Sequence, residues 1–421
     1  MILYRGELFD NSKQAELIDR LKDDLLTPIR DGVVFEREKL IEACDILAAK
    51  VLGGAFKEVV RPLMEELNIS EKEFKNMVDL FRKESLEYKC SIELSDEEKT
   101  IDGKIRRRRV PLGVLMHIAA GNVDALPAYS VIEGLLAGNI NILKLPMGDS
   151  GISVRLLNEL VTLEPTLKDF IYVFDVPSTE TETLKRLADL SDAVVVWGGD
   201  AAVRAARDMT SVNTKVIAWG HKLSFAYAES DCTDLELYDL AKSICVTNQL
   251  LCSSCQGIFV DTDSREEQEA LARRFFDAMQ RASAETNPVS YGMRAKNAIN
   301  LYNEKLEKHV TGNEVLKGEG FSVIVTDDPE LKLSYMYRNV WVKRLPFSDI
   351  ITLKEKKNYL QTASVLTANR AMRTKIENKL AAVGVTRLTT AGHMSRTVSG
   401  EAHDGTYALR EYSRIVETEV F

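Results

Sequence analysis

The sequence predicts an α/β protein whose sheets are parallel and buried, divided over two or three domains. A chain of 421 residues with 45% apolar residues is too long for one hydrophobic core. From residue 110 onward, short apolar runs alternate with segments of helical periodicity, and a second set of such elements follows residue 222. Apolar runs of this length between helices are typical of doubly wound parallel sheets.

The chain begins with a helical segment and a predicted hairpin. Residues 12 to 88 are charged and rich in leucine, with apolar residues at helical spacing. The positions that carry this spacing include Leu17, Leu21, Leu25, Met77, Leu80 and Phe81. After them, "KCSIEL" (89–94) and "KIRRRRVPLG" (104–113) predict two strands, and "SDEEKTIDG" between them is typical of a turn.

The strands of the two sheets are predicted at nine apolar runs. The first set is "GVLMHIAA", "INILKL", "FIYVFDV", "AVVVWGG" and "KVIAWG", and the second is "SFAYA", "QGIFVD", "FSVIVTD" and "YLQTASVLT". Helices are predicted between them, for example at "VRLLNELVTL" and "TETLKRLAD". These elements define the α/β architecture.

Composition excludes several classes of function. A net charge of −9 argues against a general nucleic-acid binder, and the basic run "KIRRRR" (104–109) predicts a solvated strand or a subunit contact. No apolar run approaches the length of a membrane span. The N-terminus lacks the pattern of a secretory signal, and six irregularly spaced cysteines favour a reducing compartment. The cytoplasm is the predicted location.

The stretch "NQLLCSSCQG" (248–257) places Cys252 between a predicted helix and a predicted strand. A structural zinc site needs four ligands, and no second pair accompanies Cys252 and Cys255. A redox CxxC motif usually opens a helix, whereas here a helix precedes the pair. A nucleophilic cysteine needs an exposed loop thiol and an oxyanion stabiliser, but the spacing alone does not select this possibility. The other cysteines are predicted to lie in the core.

Three further segments carry candidate binding groups. Asn122 follows a buried strand in "AAGNVDALPA", where its amide suits an oxyanion or its backbone suits a turn. In "VVVWGGDAAVRAA" a strand runs through Trp197, Gly198 and Gly199 into a helix, an arrangement that suits a pyrophosphate without completing the dinucleotide fingerprint. Lys144 closes an apolar strand, where a ribose or phosphate contact competes with simple exposure to solvent.

Taken in order, "PLGVLMHIAAGN", "LLAGNINILKLP", "VWGG", "VIAWGHK" and "NQLLCSSCQ" resemble the landmarks of the aldehyde dehydrogenase superfamily. The chain most resembles the LuxC-type acyl-CoA reductases, from about residue 105 through "HDGTYALREYSRIV" to the end. This resemblance implies a Rossmann-type cofactor domain, an α/β catalytic domain and an oligomerisation hairpin near residues 90 to 110. It assigns residues 1–220 to a lead-in and NADP-binding domain and 221–385 to the catalytic domain. Residues 386–421 return to the first domain or to a neighbouring subunit.

The resemblance also assigns roles to the candidate residues. Cys252 matches the catalytic cysteine and Asn122 the oxyanion-hole asparagine. Gly198 and Gly199, with Trp197 beside them, match the turn that faces the cofactor pyrophosphate, and Lys144 matches the lysine that contacts the adenosine ribose. No metal is implied.

Two departures from the family pattern refine the expected chemistry. Met147 stands three positions after Lys144, where NAD-preferring relatives carry an acidic residue, so NADPH is favoured even though Asp149 lies nearby. Ala218 stands where hydrolytic members carry the glutamate that activates water. An acyl-cysteine would therefore persist against hydrolysis.

The resemblance thus implies NADPH-dependent reduction of a fatty acyl thioester to an aldehyde, through an acyl group on Cys252. The donor is acyl-CoA or an acylated partner such as an acyl-protein synthetase, and a homo-oligomer is expected. His117, His221 and His403 are candidates for proton transfer, each competing with a structural role. The alternatives are a CoA-acylating aldehyde dehydrogenase for short-chain aldehydes and a non-reducing, acyl-carrying scaffold.

Overall fold

The computed structural model describes residues 1–67, 69–95, 99–101, 104–119, 125–306 and 312–419. The chain divides into two compact units, Met1–Gly220 with Thr397–Phe421, and His221–Arg396. Across the described residues, no helix combines the length and apolar character needed to cross a bilayer.

The described strands and helices are numbered in chain order. The strands are β1 Ile2–Tyr4, β2 Glu7–Phe9, β3 Lys99–Ile101, β4 Ile105–Pro111, β5 Val114–Ile118, β6 Ile140–Lys144, β7 Ile171–Phe174, β8 Ala193–Trp197, β9 Lys215–Trp219, β10 Leu223–Ala228, β11 Cys255–Val260, β12 Glu314–Lys317, β13 Ser322–Val325, β14 Asn339–Arg344, β15 Leu360–Leu366, β16 Arg387–Thr389 and β17 Ser413–Glu419. The α-helices are α1 Gln14–Asp31, α2 Arg37–Leu52, α3 Lys57–Leu67, α4 Glu71–Val78, α5 Lys83–Glu93, α6 Leu126–Leu136, α7 Ile152–Leu163, α8 Thr181–Asp189, α9 Asp200–Met209, α10 Asp234–Thr247, α11 Arg265–Ala284, α12 Tyr291–Leu306, α13 Arg370–Val383 and α14 Ala408–Glu411.

The first unit is built on a sheet with strand order β2-β1-β7-β6-β5-β8-β9. Strands β5 to β9 pair in parallel, whereas β1 is antiparallel to both of its neighbours. The chain moves outward from β5 through β6 and β7 and then returns to the other side of β5 with β8 and β9. This reversal creates a topological switch point at the carboxyl ends of β5 and β8, the place where open α/β sheets bind ligands.

The second unit is built on a sheet with strand order β12-β13-β14-β11-β10-β15-β16, in which only β12 and β13 pair antiparallel. Every residue of β10 is buried. Ala226 and Ala228 face one apolar core, while Phe225 and Tyr227 face another on the opposite side. The sheet is therefore covered on both faces at β10, which explains why apolar residues of this strand point to both sides instead of alternating with exposed ones.

The C-terminal segment pairs with the basic strand of the first unit. β17 lies antiparallel to β4 over its whole length, and β3 completes a three-stranded sheet. The Arg107 guanidinium lies 2.6 Å from the Glu417 carboxylate. The basic run thus forms a strand that pairs with the C-terminal strand β17.

A buried ion cluster holds the same C-terminal segment against α5. Lys89 Nζ lies 2.6 Å from Glu93 Oε1 and 2.9 Å from Glu133 Oε1, and all three side chains are buried. Burial opposes the charge on Lys89, but the two carboxylates raise its pKa above the ordinary lysine value. The remaining oxygen of Glu93 accepts from the backbone N–H of Leu409 at 2.8 Å, so the cluster joins α5, α6 and α14.

The predicted parallel α/β architecture is confirmed, and two local predictions are wrong. Each of the nine apolar runs that were predicted to form sheet strands contains an observed strand. "KCSIEL", however, lies mainly in α5, because Leu86, Lys89 and Glu93 share one buried helical face. Met77 is exposed and Val78 takes the buried position. The N-terminal hairpin β1–β2 was not anticipated, since its strands are three residues long.

Gly257 in β11 provides the sharpest test of this packing. It pairs with Trp341 in β14, and a Cβ at residue 257 would lie 2.0 Å from Trp341 Cδ2. We expect Gly257→Ala to lower the free energy of unfolding by about 3 kcal/mol, the upper end for overpacked cores. Urea unfolding followed by circular dichroism measures the change.

Gly292→Ala is the matched control. Gly292 lies in α12, and no heavy atom of the described residues lies within 4 Å of a Cβ built there. This variant should be neutral or up to about 1 kcal/mol more stable. Equal unfolding midpoints for the Gly257→Ala variant and the wild type would contradict the close approach of the indole.

Candidate active site

The loop that carries Cys252 starts with a strained turn at the end of α10. Asn248, the residue that ends the helix, has φ 48°, and Gln249 after it has φ 64°. Two successive non-glycine residues in the left-handed region raise the free energy of the folded chain. Such a turn persists only where surrounding contacts offset this cost. The Tyr337 N–H donates to Asn248 O at 2.9 Å, and Arg338 Nε donates to Asn248 Oδ1 at 3.0 Å.

Arg338 fixes this helix end from the interior of the second unit. Its side chain is 1% exposed and donates to Cys245 O at 3.0 Å and to Ser283 Oγ at 3.1 Å. Burial lowers the pKa of Arg338, but a guanidinium keeps its proton. A cation bonded to the last carbonyls of a helix offsets the negative end of the helix dipole. The start of the Cys252 loop is therefore held in one position.

Two buried glutamines complete the support of the loop. Gln249 Nε2 donates to Cys255 O at 2.9 Å and to Ser334 Oγ at 3.0 Å. Gln256 Oε1 accepts from the Ser334 backbone N–H at 3.2 Å and from its hydroxyl at 2.9 Å. The glutamine of "CSSCQ" is thus bonded to Ser334 and is buried.

Cys252 itself lies at the amino ends of three parallel strands. Its carbonyl accepts from Ser224 Oγ at 2.7 Å, and its sulfur lies 3.4 Å from Gln361 Nε2. Ser224 and Gln361 are the second residues of β10 and β15, and β11 begins at Cys255. Cys252 is exposed, so its thiol is accessible to solvent. The two hydrogen bonds hold both its main chain and its side chain.

Cys255 has the opposite environment. It is buried as the first residue of β11, and its thiol donates to Gly257 O at 3.2 Å. Burial raises the pKa of the Cys255 thiol to about 12. In the part of the chain that the structure describes, no group of three His, Cys, Asp or Glu side chains could hold a metal ion. Its burial and raised pKa therefore make the Cys255 thiol a poor nucleophile for thiol exchange.

The proposed cofactor residues lie at the carboxyl edge of the first sheet. Trp197 ends β8, Gly198 follows it, and Gly199 is the residue before α9. A Cβ at Gly198 would lie 3.0 Å from Ala202 Cβ, whereas no heavy atom of the described chain lies within 4 Å of a Cβ built at Gly199. The helix start thus has open space for a phosphate group, which a helix N-terminus favours.

Lys144 ends the neighbouring strand β6. It is buried, and its ammonium donates to Ser178 Oγ at 3.1 Å. Burial lowers the pKa of Lys144, and Asp175 partly offsets this effect. Met147 is 92% exposed, and the Asp149 carboxylate accepts from the Gly151 N–H at 2.7 Å within its own turn.

The histidines have different environments. Both ring nitrogens of the fully buried His117 have partners, with Nδ1 2.7 Å from Ser130 Oγ and Nε2 2.9 Å from Asn141 Oδ1. Burial lowers the pKa of His117 to about 4, so this residue is neutral and structural. His221 packs near Tyr359, with ring centroids 6.2 Å apart.

The third histidine belongs to an aromatic cluster whose members come from three separate sequence motifs, "VWGG", "VIAWGHK" and "HDGTYALREYSRIV". The His403 ring lies 5.2 Å from Trp197 and 5.1 Å from Trp219, and the two indoles are 5.5 Å apart. Trp219 Nε1 donates to the Tyr412 hydroxyl at 3.2 Å. The C-terminal segment therefore contributes side chains at the ends of β8 and β9.

Asn122 lies outside the described residues. It belongs to the segment 120–124, which comes after β5 in the sequence. Its oxyanion role stays a prediction. Gln361, Ser224 and Arg338 were not anticipated, because each acts on a residue at least 28 positions away and no local pattern marks such contacts.

Comparison with known proteins identifies the family of this chain. Residues 48–415 match the acyl-CoA reductase (LuxC) family. The chain is 27% identical over 324 residues to the long-chain acyl-protein thioester reductase of Vibrio harveyi, covering 75% of this chain and 66% of that one. It is 26% identical over 321 residues to the Aliivibrio fischeri protein of the same name, covering 73% and 64%. The matches thus span slightly less than two thirds of these relatives.

Solved structures show the fold. The NAD-dependent aldehyde dehydrogenase of Sinorhizobium meliloti superposes with a TM-score of 0.78 at 15% identity, covering 100% of this chain and 94% of that chain. A 3,6-anhydro-L-galactose dehydrogenase in complex with NAP gives 0.75 at 15% identity, covering 100% and 99%. The chain therefore belongs to the LuxC acyl-CoA reductase family and has the aldehyde dehydrogenase fold.

Proposed function

We propose that this protein reduces a fatty acyl thioester to the aldehyde with NADPH, through an acyl group carried on Cys252. The observation that carries the proposal is the exposed Cys252 thiol at the amino edge of a parallel sheet, where Ser224 binds the Cys252 carbonyl and Gln361 contacts its sulfur. Membership of the LuxC family and the names of the relatives, acyl-protein thioester reductases, support the acyl donor.

The chain's own residues account for the first half of the reaction. The Cys252 thiolate attacks the carbonyl carbon of the donor, a new C–S bond forms, and the bond to the donor thiol breaks. The donor thiolate leaves and takes a proton from solvent. The Cys252 backbone N–H and the Asn122 amide are assigned to the developing oxyanion. Reduction of the acyl-cysteine then releases the aldehyde and regenerates the Cys252 thiolate.

When bound, NADPH supplies the hydride for this reduction. Lys144, Trp197, Gly198 and Gly199 are the residues that we assign to holding it, and the open space at Gly199 fits a phosphate group. The absence of a carboxylate at Met147 and the engagement of Asp149 with its own turn favour a cofactor with a ribose 2′-phosphate.

Ala218 favours reduction over oxidation to an acid. It lies in β9 opposite Val196, and its methyl group offers no base to activate water. An acyl-cysteine at Cys252 then reacts with hydride or with a thiol in preference to water. The same chemistry run backward is the alternative function, a CoA-acylating aldehyde dehydrogenase for short-chain aldehydes.

The acyl donor and the assembly belong to the proposal as well. We propose an acylated protein or acyl-CoA as donor, with a partner of the acyl-protein synthetase type, and a homo-oligomer that uses the hairpin of β3 and β4. A non-reducing scaffold is the remaining alternative. It would accept the acyl group at Cys252 and oxidise no cofactor.

The first test follows NADPH oxidation with acyl-CoAs of increasing length and with an acylated protein donor. We expect acyl-dependent oxidation that falls in Cys252→Ala by at least about a thousandfold, as when other nucleophiles are removed. Cys255→Ser is the matched control and should retain activity, because the buried thiol takes no part. Acylation of Cys252 without NADPH oxidation would instead establish the scaffold, and faster turnover from aldehyde, CoA and NADP⁺ would establish the oxidative enzyme.

A second test concerns the cofactor preference. Met147→Glu should raise KM for NADPH about tenfold, equivalent to a repulsion of about 1.4 kcal/mol against the 2′-phosphate. KM for NADH should change little, and Met147→Gln controls for shape without charge. If the Met147→Glu and Met147→Gln variants show the same KM for NADPH, the residue does not face the 2′-phosphate.

A further inference from the structure

We propose that Gln361 stabilises the thiolate of Cys252 by donating a hydrogen bond from its side-chain amide to the sulfur. The inference rests on the proposed role of Cys252 as nucleophile and assigns the group that prepares it. A thiol attacks an acyl donor only as thiolate, so the group that favours the charged form controls the rate.

The contact is direct and the amide is sheltered. Gln361 Nε2 lies 3.4 Å from Cys252 Sγ, and the side chain is 6% exposed. Sulfur is a larger acceptor than oxygen, so this separation is within hydrogen-bonding range. A buried amide N–H costs free energy unless an acceptor is present, and the sulfur is an acceptor in this structure.

Both ends of the contact are fixed. The Gln361 carbonyl accepts from the Thr386 N–H at 3.0 Å and from its hydroxyl at 3.2 Å, which pins the start of β15. The Thr362 N–H donates to Ser224 Oγ at 3.1 Å, and Ser224 Oγ donates to Cys252 O at 2.7 Å. Neighbouring residues of one strand therefore hold the main chain of Cys252 and reach its sulfur.

The Cys252 thiolate is not stabilised by the N-terminus of a helix, the usual arrangement around an acidic thiol. Low-pKa cysteines often lie at the N-terminus of a helix, whose partial positive charge stabilises the thiolate. Here the loop follows the carboxyl end of α10, and that end is already bonded by Arg338. An amide donor stabilises the thiolate without a formal charge and does not titrate, so it acts equally over the whole working pH range.

The test is the rate of Cys252 alkylation by iodoacetamide as a function of pH, without acyl donor or cofactor. The labelled Cys252 peptide is quantified by mass spectrometry from about pH 6 to about pH 10, which spans the ordinary thiol pKa. Losing a donor to the thiolate raises the thiol pKa. We therefore expect Gln361→Leu to be alkylated about tenfold more slowly at neutral pH, corresponding to about one pKa unit. The rates should converge above both pKa values.

Gln361→Glu provides a second variant with the same shape. Its carboxylate opposes a neighbouring thiolate, so the thiol pKa should again rise above that of the wild type. The matched control is Gln268→Leu, which removes another buried amide of the same unit. Gln268 Nε2 donates to Thr326 O and Val342 O, both at 2.9 Å, so its loss should lower stability and leave the Cys252 profile unchanged.

Wild-type alkylation profiles in both Gln361 variants would overturn the inference. A shift of the same size in Gln268→Leu would also overturn it, since the effect would then be general loosening of the unit. Alkylation needs neither acyl donor nor NADPH, so these results are independent of the proposed reduction. If the Cys252 alkylation profile shifts in the Gln361 variants and no acyl-dependent NADPH oxidation is measured, Gln361 still stabilises the Cys252 thiolate. The reactive thiol then serves a different function.

Discussion

The burial of parallel strands on both faces is the constraint on which the rest of each unit depends. β10 has apolar cores on both of its sides, and β6 and β7 are buried along their whole length. A strand buried in this way has no solvent face on which to place chemistry. The reactive and binding groups therefore lie where strands end. The candidate cofactor residues lie at or directly after the carboxyl ends of β6 and β8, and Cys252 lies at the amino ends of β10, β11 and β15.

Placing a nucleophile at a strand edge requires a loop that keeps its shape. The loop before β11 contains two left-handed residues, and it is held by Arg338 at the helix end, by Gln249 within the loop and by Gln256 at the start of β11. These contacts offset the backbone strain. They also separate two cysteines only three positions apart, because Cys252 stays exposed while Cys255 enters the strand and the core.

Buried polar residues in this protein serve two different purposes. His117 has the side chain of an acid–base catalyst, yet burial and two hydrogen-bonding partners keep it neutral within the first sheet. The charged groups of the Lys89 cluster likewise hold the C-terminal segment in place. Gln361 carries no charge and stands in a buried strand, but its amide reaches the exposed sulfur. The chemical type of a side chain thus says less about its role than what lies within hydrogen-bonding distance.

The sequence by itself determined the parallel α/β architecture, the family and the location of Cys252 between a helix and a strand. Apolar runs, helical spacing and ordered motifs are local signals, and burial in a sheet requires them directly. Only the tertiary structure decided that 89–93 continue a helix, that Cys252 and not Cys255 is exposed, and that the basic strand β4 meets β17. It also brought Gln361 to Cys252 and Arg338 to the end of α10, contacts between residues 109 and 93 positions apart. Such contacts depend on which strands and loops become neighbours, and no periodicity along the chain encodes that choice.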